Sequence, residues 1–106
     1  MSGEENRALT IFRTDVNTHT LFCRQAMQIG NQAKAVEWFD DLVVMESNWE
    51  TALAKLARPM VASGSWARGY KIQDTKDCQQ LARARLEIVR EAINDLHREL
   101  KAKGWI

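Results

Sequence analysis

Residues 86–100 read Leu86-Glu87-Ile88-Val89-Arg90-Glu91-Ala92-Ile93-Asn94-Asp95-Leu96-His97-Arg98-Glu99-Leu100. Leu86, Val89, Ile93, Leu96 and Leu100 recur at steps of three, four, three and four, which is the a/d seam of an amphipathic helix. Glu87, Glu91, Asp95 and Glu99, with Arg90 and Arg98, fall on the remaining faces. Lys101 and Lys103 follow in what reads as the last turn, where the helix dipole favours cations. Gly104, then Trp105 and Ile106, suits a left-handed stop with an apolar contact back onto the helix. The seam covers about two heptads, short for a coiled coil and right for one wall of a bundle. Asp74 or Thr75 is placed to cap this final helix.

The pattern continues upstream. Asn31 is placed to cap a helix whose stripe is Ala35, Val36, Phe39, Leu42 and Val43, extending to Glu46 and Trp49. Ser47 and Glu50 have the spacing of a capping box, which predicts a restart at Asn48 with Trp49, Ala52, Leu53, Leu56 and Ala57 on one face. The two stripes are nearly in phase, so the alternative is one long kinked helix over residues 31–58. Before Gly30, a C-terminal stop, Val16, Thr20, Cys23 and Met27 mark a helix capped by Asp15 or Asn17. Residues 1–14 are left as an irregular arm, because Ala8-Leu9-Thr10-Ile11-Phe12 fits a strand, a helical turn or a packed arm. Pro59 disfavours helix at Arg58, and residues 60–74 form the main loop.

Composition agrees with helices. The 106 residues contain one proline and five glycines, far fewer turn residues than an all-β chain of this length requires. Apolar residues make up 45% and charged residues 27%, a globular balance. The expectation is an all-α, single-domain bundle of about four helices spanning residues 1–106, with a long C-terminal helix. The longest apolar run, Leu42 to Met45, is too short for a membrane span, and no basic-then-apolar leader opens the chain. Cys23 and Cys78 lack the spacing of a redox or zinc motif, so both are expected as small core residues of a reduced, cytoplasmic protein.

Catalytic signatures are missing. His19 has only Asp15 and Cys23 four residues away and His97 has no ligand type there, too few groups for a closed site, so no metal site is expected. No Gly-rich phosphate loop and no Gly-x-Ser-x-Gly is found, and no cofactor is implied. Five acids, Glu37, Asp40, Asp41, Glu46 and Glu50, occupy residues 37–50 without one base. Asp40 and Asp41 diverge by about 100° on a helix, and nothing downstream completes a carboxylate site, so a solvated acidic face is preferred.

The segment Arg58 to Lys71 interleaves Arg58, Arg68 and Lys71 with Trp66 and Tyr70 around Gly64 and Gly69. Planar rings stack on bases, cations meet phosphates, and glycine lets backbone approach closely. Residues 51–85 carry seven bases, including Arg83 and Arg85, against Asp74 and Asp77, a balance of +5; residues 37–50 carry −5. The near-neutral total of +1 therefore hides a dipolar chain. Trp, Tyr and Arg are also the hot-spot residues of protein interfaces, and aromatic loop residues often pack against their own bundle.

In size, helical content and single-domain format, and in stretches such as Asn48-Trp49-Glu50 and Gly104-Trp105-Ile106, the chain resembles the small helical anti-CRISPR proteins of phages, particularly those acting on type I-E systems. The resemblance implies an inhibitor in the host cytoplasm that binds a CRISPR effector complex stoichiometrically, covering its protein surfaces or occluding its DNA; it assigns no role to any single residue. On that reading Arg58, Trp66, Arg68, Tyr70, Lys71, Arg83 and Arg85 form the site for a partner or for single-stranded DNA. Glu37, Asp40 and Asp41 form the alternative face, imitating DNA. The competing expectations are a nucleic-acid-binding accessory protein and an adaptor that dimerises through its C-terminal helix, leaving monomer and homodimer both open.

Overall fold

The computed structural model describes residues 3–57 and 72–106, which form three helices: α1 (Gly3–Gln28), α2 (Gln32–Ala57) and α3 (Ile72–Ala102). Each packs against the other two, and all three contribute to one core. At 31 residues α3 is the longest, about 46 Å at the α-helical rise. The Cα radius of gyration is 17.3 Å, against about 13 Å for a compact domain of this size. The bundle is therefore slender and exposes much helix flank.

Among the described residues three helices stand where about four were expected, and each difference has a local cause. Residues 3–14 are helical rather than an irregular arm, because Leu9 and Phe12 extend the Val16–Cys23–Met27 stripe backwards at helical steps. Asp15 and Asn17 thus lie inside α1 and cap nothing. Thr10, Thr14, Thr18 and Thr20 are poor helix formers, and each donates its hydroxyl to the carbonyl four residues earlier at 2.9–3.0 Å.

α2 runs unbroken through Ser47, the second of the two readings of residues 31–58. The capping box does not form: Glu50 accepts from Arg90 of α3 instead, and the Ser47 carbonyl accepts the Thr51 hydroxyl at 3.0 Å. With both apolar stripes in phase, Met45, Trp49 and Leu53 all pack on the core and nothing favours a break. α3 opens at Ile72, ahead of Asp74 and Thr75.

The stops follow the sequence closely. Gly30 and Gly104 both adopt φ of 75°, and both close a Schellman motif. Asn31 N–H donates to the Ala26 carbonyl at 2.8 Å and Gly30 N–H to that of Met27 at 3.2 Å; Trp105 and Gly104 repeat the pattern on Leu100 and Lys101 at 3.0 Å each. Asn31 then caps α2, its Oδ1 accepting the Lys34 N–H at 3.1 Å. Two helices thus reverse within three residues.

Leu42, Val89, Leu96 and Leu100 are fully buried, with Leu86 almost so. Leu86, Val89, Leu96 and Leu100 of the α3 seam are thus turned into the bundle core. Ile93 is only half-buried, and Val43 is 39% exposed on the flank of α2. Cys23 is buried and donates its thiol to the Ala35 carbonyl at 3.3 Å, whereas Cys78 is exposed and not a core residue. Both are free thiols.

Two ionic clamps fix the helices sideways. Arg24 of α1 grips Glu99 of α3 through Nε and Nη2 at 2.9–3.1 Å, and the hydrogen bond to Glu99 raises the Arg24 pKa further. Arg90 of α3 reaches Glu50 at 2.7 Å and Glu46 at 3.2 Å on α2. Gln79 donates to the Leu56 carbonyl at 2.8 Å, satisfying an orphan acceptor of the last turn of α2. No helix among the described residues is long and apolar enough to cross a membrane.

Candidate partner-binding surface

Of the basic-aromatic site expected from the sequence, Arg58, Trp66, Arg68, Tyr70 and Lys71 lie outside the described residues. Arg83 and Arg85 are both on α3 and point apart, because two residues span about 200° of a helix. Arg83 is exposed. Arg85 turns inward, its guanidinium 4.3 Å from the Trp49 ring centroid and 5.8 Å from that of Phe12. Those two rings meet edge to face at 6.0 Å. The Arg85 Nε is buried without a hydrogen-bond partner among the described residues, and desolvation lowers the pKa of the side chain. The two arginines therefore make no common cationic patch, and Arg85 covers an aromatic pair shared by α1 and α2 through its π-contacts.

The acidic run divides as well. Glu46 and Glu50 sit toward α3 and are engaged by Arg90. Glu37, Asp40 and Asp41 are exposed on the half of α2 turned away from buried Leu42. Glu37 meets Lys34 one turn back at 3.2 Å, an exposed pair of little energetic weight. Asp40 and Asp41 have no cation within ion-pair distance among the described residues. Asp40 and Asp41 diverge, as the helix requires, yet both face solvent beside Glu37.

Next to these acids lies a surface that the sequence reading did not single out. Phe22 of α1 stacks on Trp38 of α2 at 5.1 Å and 24°, and His19 meets the same indole edge-on at 5.2 Å. Trp38 is half-buried, Phe22 is 41% exposed and Ile29, just before the Gly30 stop, is 78% exposed. With Gln25, Ala26 and Lys34 they line an open recess of about 400 Å³ at the α1–α2 turn. Ile11 and Val44, also exposed, continue the apolar character along the two helices. Trp38 and Asp41 are three residues apart and Glu37 and Asp41 four, so ring and carboxylates share one side of α2. One signal was available: Phe22 and Ile29 are large apolar residues out of phase with the Val16–Cys23–Met27 stripe.

No group of three or more His, Cys, Asp or Glu among the described residues is arranged to hold a metal ion. Among the described residues the nucleophile whose pKa is shifted is Cys23, its thiol pushed up to about 11, first by burial and then by the nearby Glu99 carboxylate. A protonated, buried thiol is inert. Carboxylates and apolar rings side by side on one flank of α2 are groups that contact charged and apolar surfaces. No protein-family model, curated protein or solved structure matches the chain.

Proposed function

We propose that the chain acts by stoichiometric binding rather than catalysis, as a phage or mobile-element inhibitor of host defence of the anti-CRISPR kind. Its target is a CRISPR surveillance complex, engaged through the face of Glu37, Asp40 and Asp41. The observation that carries this reading is the unequal fate of one acidic run: two carboxylates tie α2 to α3, while Asp40 and Asp41 stay exposed, with no ion-pair partner among the described residues and Glu37 beside them. Exposed carboxylates on a rigid helix present fixed negative charge, which suits a channel built to hold nucleic-acid backbone. Their effect is on encounter rate and specificity, and it weakens as salt rises.

The reading is tested by expressing the chain in bacteria with type I-E immunity and plating a targeted phage. Plaquing is expected to be restored, and the purified chain is expected to bind the surveillance complex in a pull-down with nuclease added. Asp40→Lys with Asp41→Lys should abolish both while the melting temperature stays unchanged. Full immunity in the presence of the wild-type chain sinks the proposal. Recovery of nucleic acid alone transfers the function to the segment Arg58 to Lys71, with Arg83, as a single-stranded DNA site.

A further inference from the structure

Among the described residues, arginines that cross between helices are neutralised with one exception. Arg24 meets Glu99, and Arg90 meets Glu46 and Glu50. Arg85 reaches from α3 to rings of both other helices, yet it has neither an ion-pair partner nor a hydrogen-bond acceptor among the described residues. We infer that Arg85 is a carboxylate-binding site: its guanidinium, held on the Phe12–Trp49 pair, donates two N–H groups to the carboxylate of a ligand with an apolar body. This site goes beyond the reading of Glu37, Asp40 and Asp41 as a docking face, since Trp49 lies eight residues past Asp41, about 12 Å along α2.

The energetics ask for an anion. Taking a guanidinium out of water costs free energy that a paired carboxylate offsets, and ring contacts recover only a part of it. Desolvation is felt at Arg85, whose pKa it lowers. The acids closest to hand on α2 are not free to help, because Arg90 takes both Glu46 and Glu50. The side chain is also preorganised: Trp49 at 4.3 Å and Phe12 at 5.8 Å hold the guanidinium before any ligand arrives. Nε alone of its nitrogens is sealed without a partner, so Nη1 and Nη2 still reach solvent. Such an edge matches the two oxygens of a planar carboxylate.

The surroundings select the ligand. Leu81 and Ile88, one turn to either side of Arg85 on α3, are half-buried and apolar, as are Phe12 and Trp49. An apolar body beside the carboxylate therefore gains contact, whereas a second charge would have to be desolvated with nothing to meet it. The guanidinium itself occupies the indole face that a nucleic-acid base would need for stacking.

The test titrates the full chain with benzoate, its neutral counterpart benzamide, and dimethyl phosphate as a phosphodiester probe. The readouts are the Arg85 Nε–H and Trp49 indole N–H resonances. Benzoate is expected to shift both, with benzamide and dimethyl phosphate weaker by about tenfold or more, the scale of a charge-assisted hydrogen bond. Arg85→Leu should abolish binding with the backbone amide spectrum otherwise kept, and Arg85→Lys, which retains charge without the planar fork, should weaken it by about tenfold. Arg83→Gln, at an exposed position on the same helix, should leave it unchanged. A peptide with one glutamate between leucines, beside its glutamine counterpart, then distinguishes sources: tighter binding than benzoate assigns the carboxylate to a partner protein, and weaker binding assigns it to a small organic acid. Equal binding of benzamide or dimethyl phosphate, shifts away from Arg85, unchanged affinity in Arg85→Leu, or no binding overturns the inference. No CRISPR component enters these measurements, so failure to block immunity and failure of this site are separate results.

Discussion

Two aromatic pairs mark two levels of this bundle, and they are treated differently. Phe12 and Trp49 meet edge to face and are covered by Arg85, whose guanidinium lies 4.3 Å from the indole. Phe22 and Trp38 stack at 5.1 Å near the Gly30 turn with no cation over them among the described residues, Ile29 exposed at their side and Asp41 one turn away. The first cluster is completed from within the chain, at the cost of burying an unpaired Nε. The second keeps its apolar area in water. The difference teaches that aromatic content alone does not mark a binding site; what marks it is whether the protein spends its own groups on covering the rings.

The contrast can be broken most strongly by truncation. Trp49→Ala should destabilise by about 3 kcal/mol, near the lower end for loss of a large buried aromatic because Trp49 is only half-buried. Phe22→Ala should cost less than about 1 kcal/mol, since exposed positions change stability little. Urea unfolding of both variants checks the pair, and equal losses would remove the distinction between the two clusters. Arg85→Leu sharpens it from the cationic side: the lost cation–π contact, about 1 kcal/mol, is offset by relief of the desolvated Nε, so the melting temperature should shift by only a few degrees. A large drop would mean that Arg85 has a partner beyond the two rings.

The smallest effect concerns the thiols. With the pKa of Cys23 raised to about 11, its sulfur stays protonated at pH 8 while Cys78 is exposed. A thiol reagent should therefore label Cys78 promptly and Cys23 only as the protein opens, giving one fast and one slow phase by mass spectrometry. The sign of the linked stability follows: the folded state holds the proton more tightly. This contribution is complete below pH 9, the ordinary thiol pKa, and is lost as pH rises toward about 11. A Cys23→Ser variant should lack that part of the alkaline loss.

Most of the frame was legible because it is written in local rules. The Leu86–Leu100 seam, the Gly30 and Gly104 stops and the Asn31 cap each follow from spacing and from one residue's conformational preference. What escaped depended on tertiary partners. Ser47 and Glu50 satisfy the capping-box spacing, yet Arg90, forty residues away, takes the Glu50 carboxylate. Residues 3–14 looked irregular because Ala8 to Phe12 fits a strand, a helical turn or a packed arm equally well, and the docking of Leu9 and Phe12 decides for helix. At the candidate site the acids Glu37, Asp40 and Asp41 were readable, whereas the division of the run between structure and surface was not. The inward turn of Arg85 could not be read either, since it needs rings from α1 and α2 converging on α3.

The short reversal at Gly30 sets the order in which the chain assembles. α1 and α2 meet after three intervening residues, so their pairing closes a small loop and is entropically cheap, while α3 must return across a much longer span. The α1–α2 hairpin is thus the natural folding nucleus, and it carries the whole of the acidic and apolar face. A Cβ at Gly30 would meet no atom within 4 Å, so Gly30→Ala charges the chain only for its positive φ, about 1 kcal/mol. If the hairpin forms first, stopped-flow refolding should show that cost mainly as slower folding; if it appears as faster unfolding instead, α3 leads. On the first outcome, the recognition surface emerges before the bundle is complete, on the half of the molecule that the ribosome releases first.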